Sequence, residues 1–327
     1  METSKLIGRN ENSKFFINGS PYFKKILRGD STDIKRRQEN LKNWQTDMPV
    51  DFPTPQLKQE NTDLAEYYYD WIEDSNTLQE LLQESLTDSF NTDLYGYFTD
   101  IASILTRIHQ LSTRYSGQVN DIRLFVRPLI ALSSREYESA SGGQLECFAL
   151  LQQDVDLIAV LTNYKADATY YCPIHGDIRL DQFLIDKRNK VWMIDFEEYS
   201  FGNRLKDIGN VIGSVLFSTY FEIFCHAWDY NKSYEDDVSI NHQLREKEAQ
   251  VFKLISPLID HFINQYQQIA TIELDIKHIS VDVGVFLIER VISRARQTFR
   301  LSPIDKALLG IGRSFILSED KLQTILR

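Results

Sequence analysis

Three oxygen-bearing side chains lie close together near the middle of the chain: Asp177 in His175-Gly176-Asp177, Gln182 five residues on, and Asp195 in Ile194-Asp195-Phe196. Carboxylates and an amide carbonyl are hard donors suited to Mg²⁺, a cation that usually also keeps substrate phosphates in its shell. The intervening residues indicate how the three could meet. Two apolar runs, Gln182-Phe183-Leu184-Ile185 and Val191-Trp192-Met193-Ile194-Asp195, flank the polar tetrad Lys187-Arg188-Asn189-Lys190, which predicts an antiparallel hairpin with a four-residue turn. If Asp186 pairs with Val191, then Ile185 faces Trp192, Phe183 faces Ile194, and Gln182 faces Asp195 at the open end. Upstream, Gly176 permits a tight backbone path that aims Asp177 toward the same end.

Earlier elements must supply the rest of a phosphate site. The stretch Leu6-Ile7-Gly8-Arg9-Asn10-Glu11-Asn12-Ser13 could lie over phosphates and offer backbone N–H groups. It leads into Lys14 to Ile17, then Asn18-Gly19, then Tyr22 to Leu27, and Asn-Gly between two β-rich runs predicts a hairpin. Lys24 and Lys25 on its second strand point to opposite faces, so either one could face a nucleotide. A helix is expected from about Ser31 to Trp44. Glu39 is its only acid after the cap, and so the candidate partner of that lysine. Pro49, Pro53 and Pro55 mark a loop, and Leu64 to Ile72 reads as an aromatic strand running into Glu73-Asp74-Ser75.

His-Gly-Asp, an amide beyond a gap of four residues, and the later Ile-Asp-Phe resemble the aminoglycoside phosphotransferase and choline kinase group, which has the protein-kinase-like fold. The resemblance implies an α+β, two-lobed chain: a small antiparallel β-sheet N-lobe over 1–74, then a mainly helical C-lobe over 75–327. It implies ATP as donor, Mg²⁺, and a hydroxyl acceptor on a small molecule such as a sugar, an aminoglycoside or an amino alcohol. Carried over, Asp177 is the catalytic base, and Gln182 and Asp195 hold the metal. Lys24, which follows an apolar pair, is the phosphate lysine, and the main chain of Asp70 and Ile72 meets adenine. Asp207 braces the catalytic loop, and His109 ties its own helix to that loop. The family usually has Asn where this chain has Gln182; Leu180, Gln182, Asp195, Phe196 and Glu197 match a maltokinase-like variant.

The remaining sequence supplies walls. Thr77 and Glu80 form a capping box at the start of a helix, and Phe98, Ile101, Leu105 and Ile108 recur at helical spacing. Val211 to Phe221 suits a buried helix, and Val251 to Tyr266 an amphipathic one that Pro257 could kink. Asp236 and Asp237 are acids that could meet a cationic acceptor. A last long helix, about Val281 to Arg300, carries Arg290, Arg294, Arg296 and Arg300, either a solvated face or a site for an anionic acceptor or partner.

A length of 327 residues suits two domains or one domain of two lobes, with a substantial core. The net charge of −11 argues against general affinity for nucleic acid or anionic membrane, since both need clustered Lys and Arg. The three cysteines, Cys147, Cys172 and Cys225, are odd in number and show no CxxC, so neither a zinc site nor a disulfide framework is expected. With no signal-like apolar region at the N-terminus, a cytoplasmic protein is the simplest expectation. Two other classes stay open: a catalytically silent kinase-like binding protein, and a kinase-like enzyme that modifies a protein.

Overall fold

The computed structural model describes residues 5–6, 10–17, 19–87, 90–112, 119–120, 122–165, 167–227, 237–318 and 320–326. The Gly8 loop, Asp236 and the side chain of Asp237, singled out above, lie outside what is described. The chain begins with strands β1 (Lys5–Leu6), β2 (Glu11–Ile17) and β3 (Ser20–Ile26). β2 and β3 pair from Glu11↔Ile26 to Ile17↔Ser20, and Gly19 takes φ +85° in the turn that Asn-Gly predicted. Helix α1 (Ser31–Asp47) follows. Its cap is Asp30, one residue earlier than expected, whose carboxylate accepts from the N–H groups of Thr32 and Asp33. Strands β4 (Leu57–Asn61) and β5 (Glu66–Asp70) complete an antiparallel sheet in the order β1-β2-β3-β5-β4.

Beyond the linker, β6 (Asn76–Thr77) pairs with the central hairpin, and α2 (Leu78–Thr87) starts on the expected capping box, Thr77 Oγ1 accepting from Glu80 N while Glu80 accepts from Thr77 N. Then come α3 (Leu94–His109), α4 (Arg123–Ile130), α5 (Ser134–Ser139), α6 (Gly142–Gln152) and α7 (Val155–Asn163). The segment that carries Asp177, Gln182 and Asp195 runs from β7 (Tyr171–Ile174) through the hairpin β8 (Phe183–Ile185) and β9 (Val191–Met193) to β10 (Ser200–Asn203). Helices α8 (Arg204–Ala227), α9 (Asp237–Ala270), α10 (Ile276–Ala295), α11 (Pro303–Leu317) and α12 (Lys321–Leu326) follow. The result is the expected α+β kinase-like architecture, a small antiparallel sheet beside a mainly helical part.

Among the described residues α8 is the one helix long and apolar enough to cross a bilayer, but 72% of its apolar window is buried. Ile208, Val211, Ile212 and Val215 are almost wholly buried, which marks a core helix. Gly209 and Gly213 let α10 approach closely, since a Cβ at either would stand 2.6 Å from Asp282 Cβ or 2.7 Å from the Phe286 ring. That contact fixes which face of α10 turns toward the segment that carries Asp177.

The hairpin differs from expectation by one residue. Phe183 pairs with Met193, Leu184 with Trp192 and Ile185 with Val191. Asp186 does not pair with Val191 but closes a longer turn: its carboxylate accepts from the N–H of Arg188 and Lys190, and Asn189 adopts φ 59°. Phe183, Ile185, Val191 and Met193 thereby share the buried face. Gln182 stands opposite Ile194, whose N–H it accepts at 3.0 Å, and Asp195 lies beyond the ladder.

Candidate active site

β7 delivers His175, Gly176 and Asp177 to the mouth of the cleft, and α8 holds them there. The fully buried Asp207 accepts from His175 N at 2.7 Å and from Gly176 N at 2.9 Å. Its Oδ2 also meets His109 Nε2 at 3.2 Å, and His109 Nδ1 lies 2.6 Å from the Tyr266 hydroxyl. Burial holds His109 below its ordinary pKa against the pull of Asp207, so the neutral ring donates to the carboxylate and accepts from the tyrosine. Helix α3 is thus tied to the loop as the sequence suggested for His109 and Asp207. Gly176 has φ +89°, and a Cβ there would sit 2.5 Å from the Glu198 carbonyl. His175 is buried, its Nε2 lying 3.1 Å from the Ile194 carbonyl, so it links the loop to the end of the hairpin.

Asp177 opens onto the cleft with its side chain 47% exposed, and Arg179 Nη1 donates to it at 2.7 Å. Protein crowding around the carboxyl lifts its pKa to about 6 against the opposing pull of Arg179. Asp195 behaves oppositely. Burial pushes its pKa up, but Lys25, and more weakly Arg179, outweigh that and bring it down to about 2. Its backbone sits in the left-handed region at φ 76°, which Asp tolerates better than bulkier residues, and which turns the carboxylate back toward β3.

The lysine on that carboxylate is Lys25. Its ammonium ion-pairs with Asp195 and lies 2.9 Å from Glu197 Oε2. Lys24, the residue expected in this place, points to the other face, where it binds Glu66 at 2.9 Å beside the Tyr68 ring. The alternation of β3 decides the matter: Lys25 pairs with Asn12 and Tyr67 and is buried toward the cleft. Glu39 is exposed and does not pair with Lys25; the second acid on the lysine is Glu197. Helix α1 contributes a cation instead. Arg37 is fully buried, with Asp33 at 2.9 Å, Asn10 Oδ1 at 2.9 Å and Glu197 at 3.3 Å. Asn10 also donates to Glu197, and Asn40 donates to the Glu197 carbonyl. Little in the sequence points to this, because Arg36-Arg37 reads as an ordinary charged run. The usable signal was the i,i+4 spacing from Asp33 to Arg37. Trp44 stacks on Phe196 at 3.8 Å between centroids, fastening α1 to the same turn.

Gln182 is buried, and its amide nitrogen lies 3.5 Å from Asp195 Oδ2. Its oxygen accepts from Arg179 N at 3.0 Å. Reversing the amide would set two donors against each other at Arg179, so the backbone fixes this orientation. The expected convergence of an amide oxygen with Asp195 is therefore not what the structure shows; the amide supports the carboxylate as a hydrogen-bond donor. One ionised carboxylate facing the cleft still fits Mg²⁺, which is commonly held by one or two carboxylates together with substrate phosphates.

Asp70 and Ile72 border the cleft at the linker. Asp70 N is taken by the Gln56 carbonyl and the Ile72 carbonyl by the Ser75 hydroxyl, while Ile72 N has no partner among the described residues. Half-buried Phe23 and Leu57 on one side and Leu184 and Ile194 on the other make an apolar slot beside it. The cleft encloses about 2390 Å³ and runs from this slot past Asp195 and Asp177 to α10. That is more than the roughly 300–1,000 Å³ of a single small-ligand pocket.

A loop carboxylate, a lysine-paired carboxylate on a hairpin and a cleft between sheet and helices coincide with a family match: residues 6–235 fit the model of the phosphotransferase enzyme family. The chain belongs to that family. Solved structures agree on the fold. LicA, a choline kinase of Streptococcus pneumoniae, in complex with AMP aligns with a TM-score of 0.56 at 13% identity, over 98% of this chain and 92% of that one. An ethanolamine kinase of Plasmodium vivax aligns at 0.53 and 12% identity, over 99% and 83%. A ternary complex of a thermostable aminoglycoside phosphotransferase APH(4)-Ia mutant with AMP-PNP and hygromycin B aligns at 0.53 and 13% identity, over 96% and 93%. No curated protein is matched by sequence. Within this phosphotransferase, the elements that carry Asp177, Asp195 and Lys25 all fall inside the matched residues.

Proposed function

We propose that this phosphotransferase moves the γ-phosphoryl group of ATP to a hydroxyl of a small molecule, with Asp177 as base. The geometry that carries this reading is two carboxyls on one cleft in different settings: Asp195 ion-paired with the buried ammonium of Lys25, which holds its pKa down, and Asp177 open to the cleft beside Arg179, its pKa raised by burial. A permanently ionised acid suits charge stabilisation, and an acid poised near the working pH suits proton transfer. Structurally aligned proteins bind AMP or AMP-PNP and act on small hydroxyl compounds, which supports a nucleotide in the apolar slot, with the Ile72 N–H and the main chain of Asp70 beside its base. Lys25 is the residue that orients the phosphates. Asp195 would hold Mg²⁺, whose chemistry when bound is to neutralise phosphate charge, and Gln182 fixes the Asp195 carboxylate.

Asp177 takes the acceptor proton while Arg179 keeps its carboxylate aimed, and most of the acceleration comes from positioning and fixed charge. The domain division at 74/75 proposed from the sequence puts the nucleotide wall in one lobe and the base in the other. Calorimetric titration with Mg·AMP-PNP, followed by ADP release on sugars, aminoglycosides and amino alcohols, tests the reading. Absence of nucleotide binding would sink it.

A further inference from the structure

Four arginines on or just beyond α10 were open to two readings, solvated or ligand-facing, and the structure separates them. Arg294 binds Asp305 at 3.2 Å and lies over the Phe221 ring, Arg300 is exposed, and Arg296 borders the cleft but is itself exposed to solvent. Arg290 instead lines the catalytic cleft, where it feels the charges of Arg179, Asp177 and Asp181. Among the described residues it has no hydrogen bond and no ion pair. Its neighbour Glu289 lines the same cleft, feels Lys206, Asp177, Arg290 and Glu198, and is likewise without a partner. Lys206 acts on Glu289 only through its charge, without an ion pair, its ammonium donating to Asn120 Oδ1 at 2.9 Å.

Leaving both signs of charge shielded and unpaired costs free energy that a ligand can offset. An acid and a guanidinium on adjacent residues, both lining the cleft that holds Asp177, match the two ends of a zwitterion. Resting on the phosphotransferase reading above, we infer that the acceptor is a hydroxyl-bearing zwitterion of the α-amino acid class, its ammonium bound by Glu289 and its carboxylate by Arg290. A purely cationic amino alcohol would leave Arg290 unanswered and add a cation beside it; a neutral sugar would leave both charges unanswered. The guanidinium fork suits a carboxylate.

The test uses the full chain saturated with Mg·AMP-PNP and calorimetric titration of L-serine, L-threonine and L-homoserine against ethanolamine, choline and glucose, with ADP release from ATP measured in parallel. At least one hydroxy amino acid is expected to bind more tightly than every compound lacking the carboxylate. Arg290→Met is expected to weaken that binding roughly 10- to 100-fold, the range for a hydrogen bond to a charged group. The same variant should leave AMP-PNP affinity unchanged, which also shows that it folds, and Glu289→Gln should weaken the amino acid but not its deaminated hydroxy-acid analogue. Preference for ethanolamine, choline or glucose, failure of every hydroxy amino acid to bind, or unchanged amino acid affinity in Arg290→Met overturns the inference. Amino acid binding without ADP release would overturn it too, and loss of AMP-PNP binding by the wild-type chain would instead overturn the phosphotransferase reading.

Discussion

On the wall built by β3, α1 and the Phe196 turn, Lys25 and Arg37 meet Asp195, Glu197 and Asp33 in one buried network. On the facing wall built by α10, Glu289 and Arg290 meet no partner among the described residues. The first arrangement is complete before any ligand arrives, so its geometry is preorganised and its loss should be felt in folding as well as in function. The second is incomplete until a ligand supplies the missing charges, so its loss should be felt in affinity alone. Asp177 lies between them, shielded enough to be raised to about 6 yet open to the cleft.

The largest effect is expected at that midpoint. Asp177→Asn should lower kcat by roughly 10²- to 10⁴-fold, the usual worth of a positioned base, while Mg·AMP-PNP affinity changes little. Retained turnover would remove Asp177 from the proposed role. Lys25→Met comes next, because it leaves Asp195 without its ion-pair partner and Glu197 with Arg37 alone. Nucleotide affinity should fall and the melting temperature with it; a variant that loses affinity at unchanged stability would show that the network is not a structural unit.

Arg37→Met separates folding from chemistry on the same wall. Removing one member of a buried charged network costs about 3–5 kcal/mol, and Arg37 touches no part of the cleft chemistry except through Glu197 and α1. Denaturant unfolding should show that loss, with ADP release per folded molecule far less affected than in Lys25→Met. A stability change below about 1 kcal/mol, the range of surface pairs, would mean that the wall tolerates open charge as the α10 wall does.

How much of this was legible beforehand follows from what each feature depends on. The kinase-like architecture, the roles of His109 and Asp207, and the Asn-Gly hairpin rest on short local patterns, and these the sequence displays. The choice between Lys24 and Lys25 rests on strand phase, which neighbouring identical residues conceal; only pairing with β2 and β5 reveals that Lys25 faces inward. Glu39 was the candidate as the only acid of its helix after the cap, but the chain places the acid two residues after Asp195 and a cation, Arg37, on the helix. Sequence spacing cannot show such an exchange across 160 residues between Arg37 and Glu197. The hairpin register moved by one because Asp186 prefers to cap its own turn, a local hydrogen bond that competes with strand pairing.

A pH titration sharpens the contrast between the two carboxyls. Asp177 must be ionised to act, so kcat/KM should fall as pH drops through about 6, while Asp195, at about 2, stays ionised throughout. Stability moves the other way. The folded protein binds the Asp177 proton more tightly than the unfolded chain, whose carboxyl titrates near 3.8, so the stabilisation from this group is present at low pH and lost as pH rises through about 6. Asp177→Asn should therefore raise the melting temperature relative to wild type near neutral pH, by an amount that shrinks on acidification. An acid limb that persists unchanged in Asp177→Asn, measured on its residual activity, would assign the titration to another group.

Lys24→Met should have the smallest effect. Lys24 sits on the outer face of β3, paired with Glu66 and stacked beside aromatic rings, and such an exposed pair is worth about 0–1 kcal/mol. Methionine keeps most of the apolar stem over Phe15 and Tyr68, so even that loss is partly offset. Nucleotide affinity should match wild type, because no atom of Lys24 faces the cleft. If AMP-PNP affinity instead falls in Lys24→Met and survives in Lys25→Met, β3 presents the opposite face to the nucleotide. The buried lysine network would then be a folding device with no part in phosphate binding.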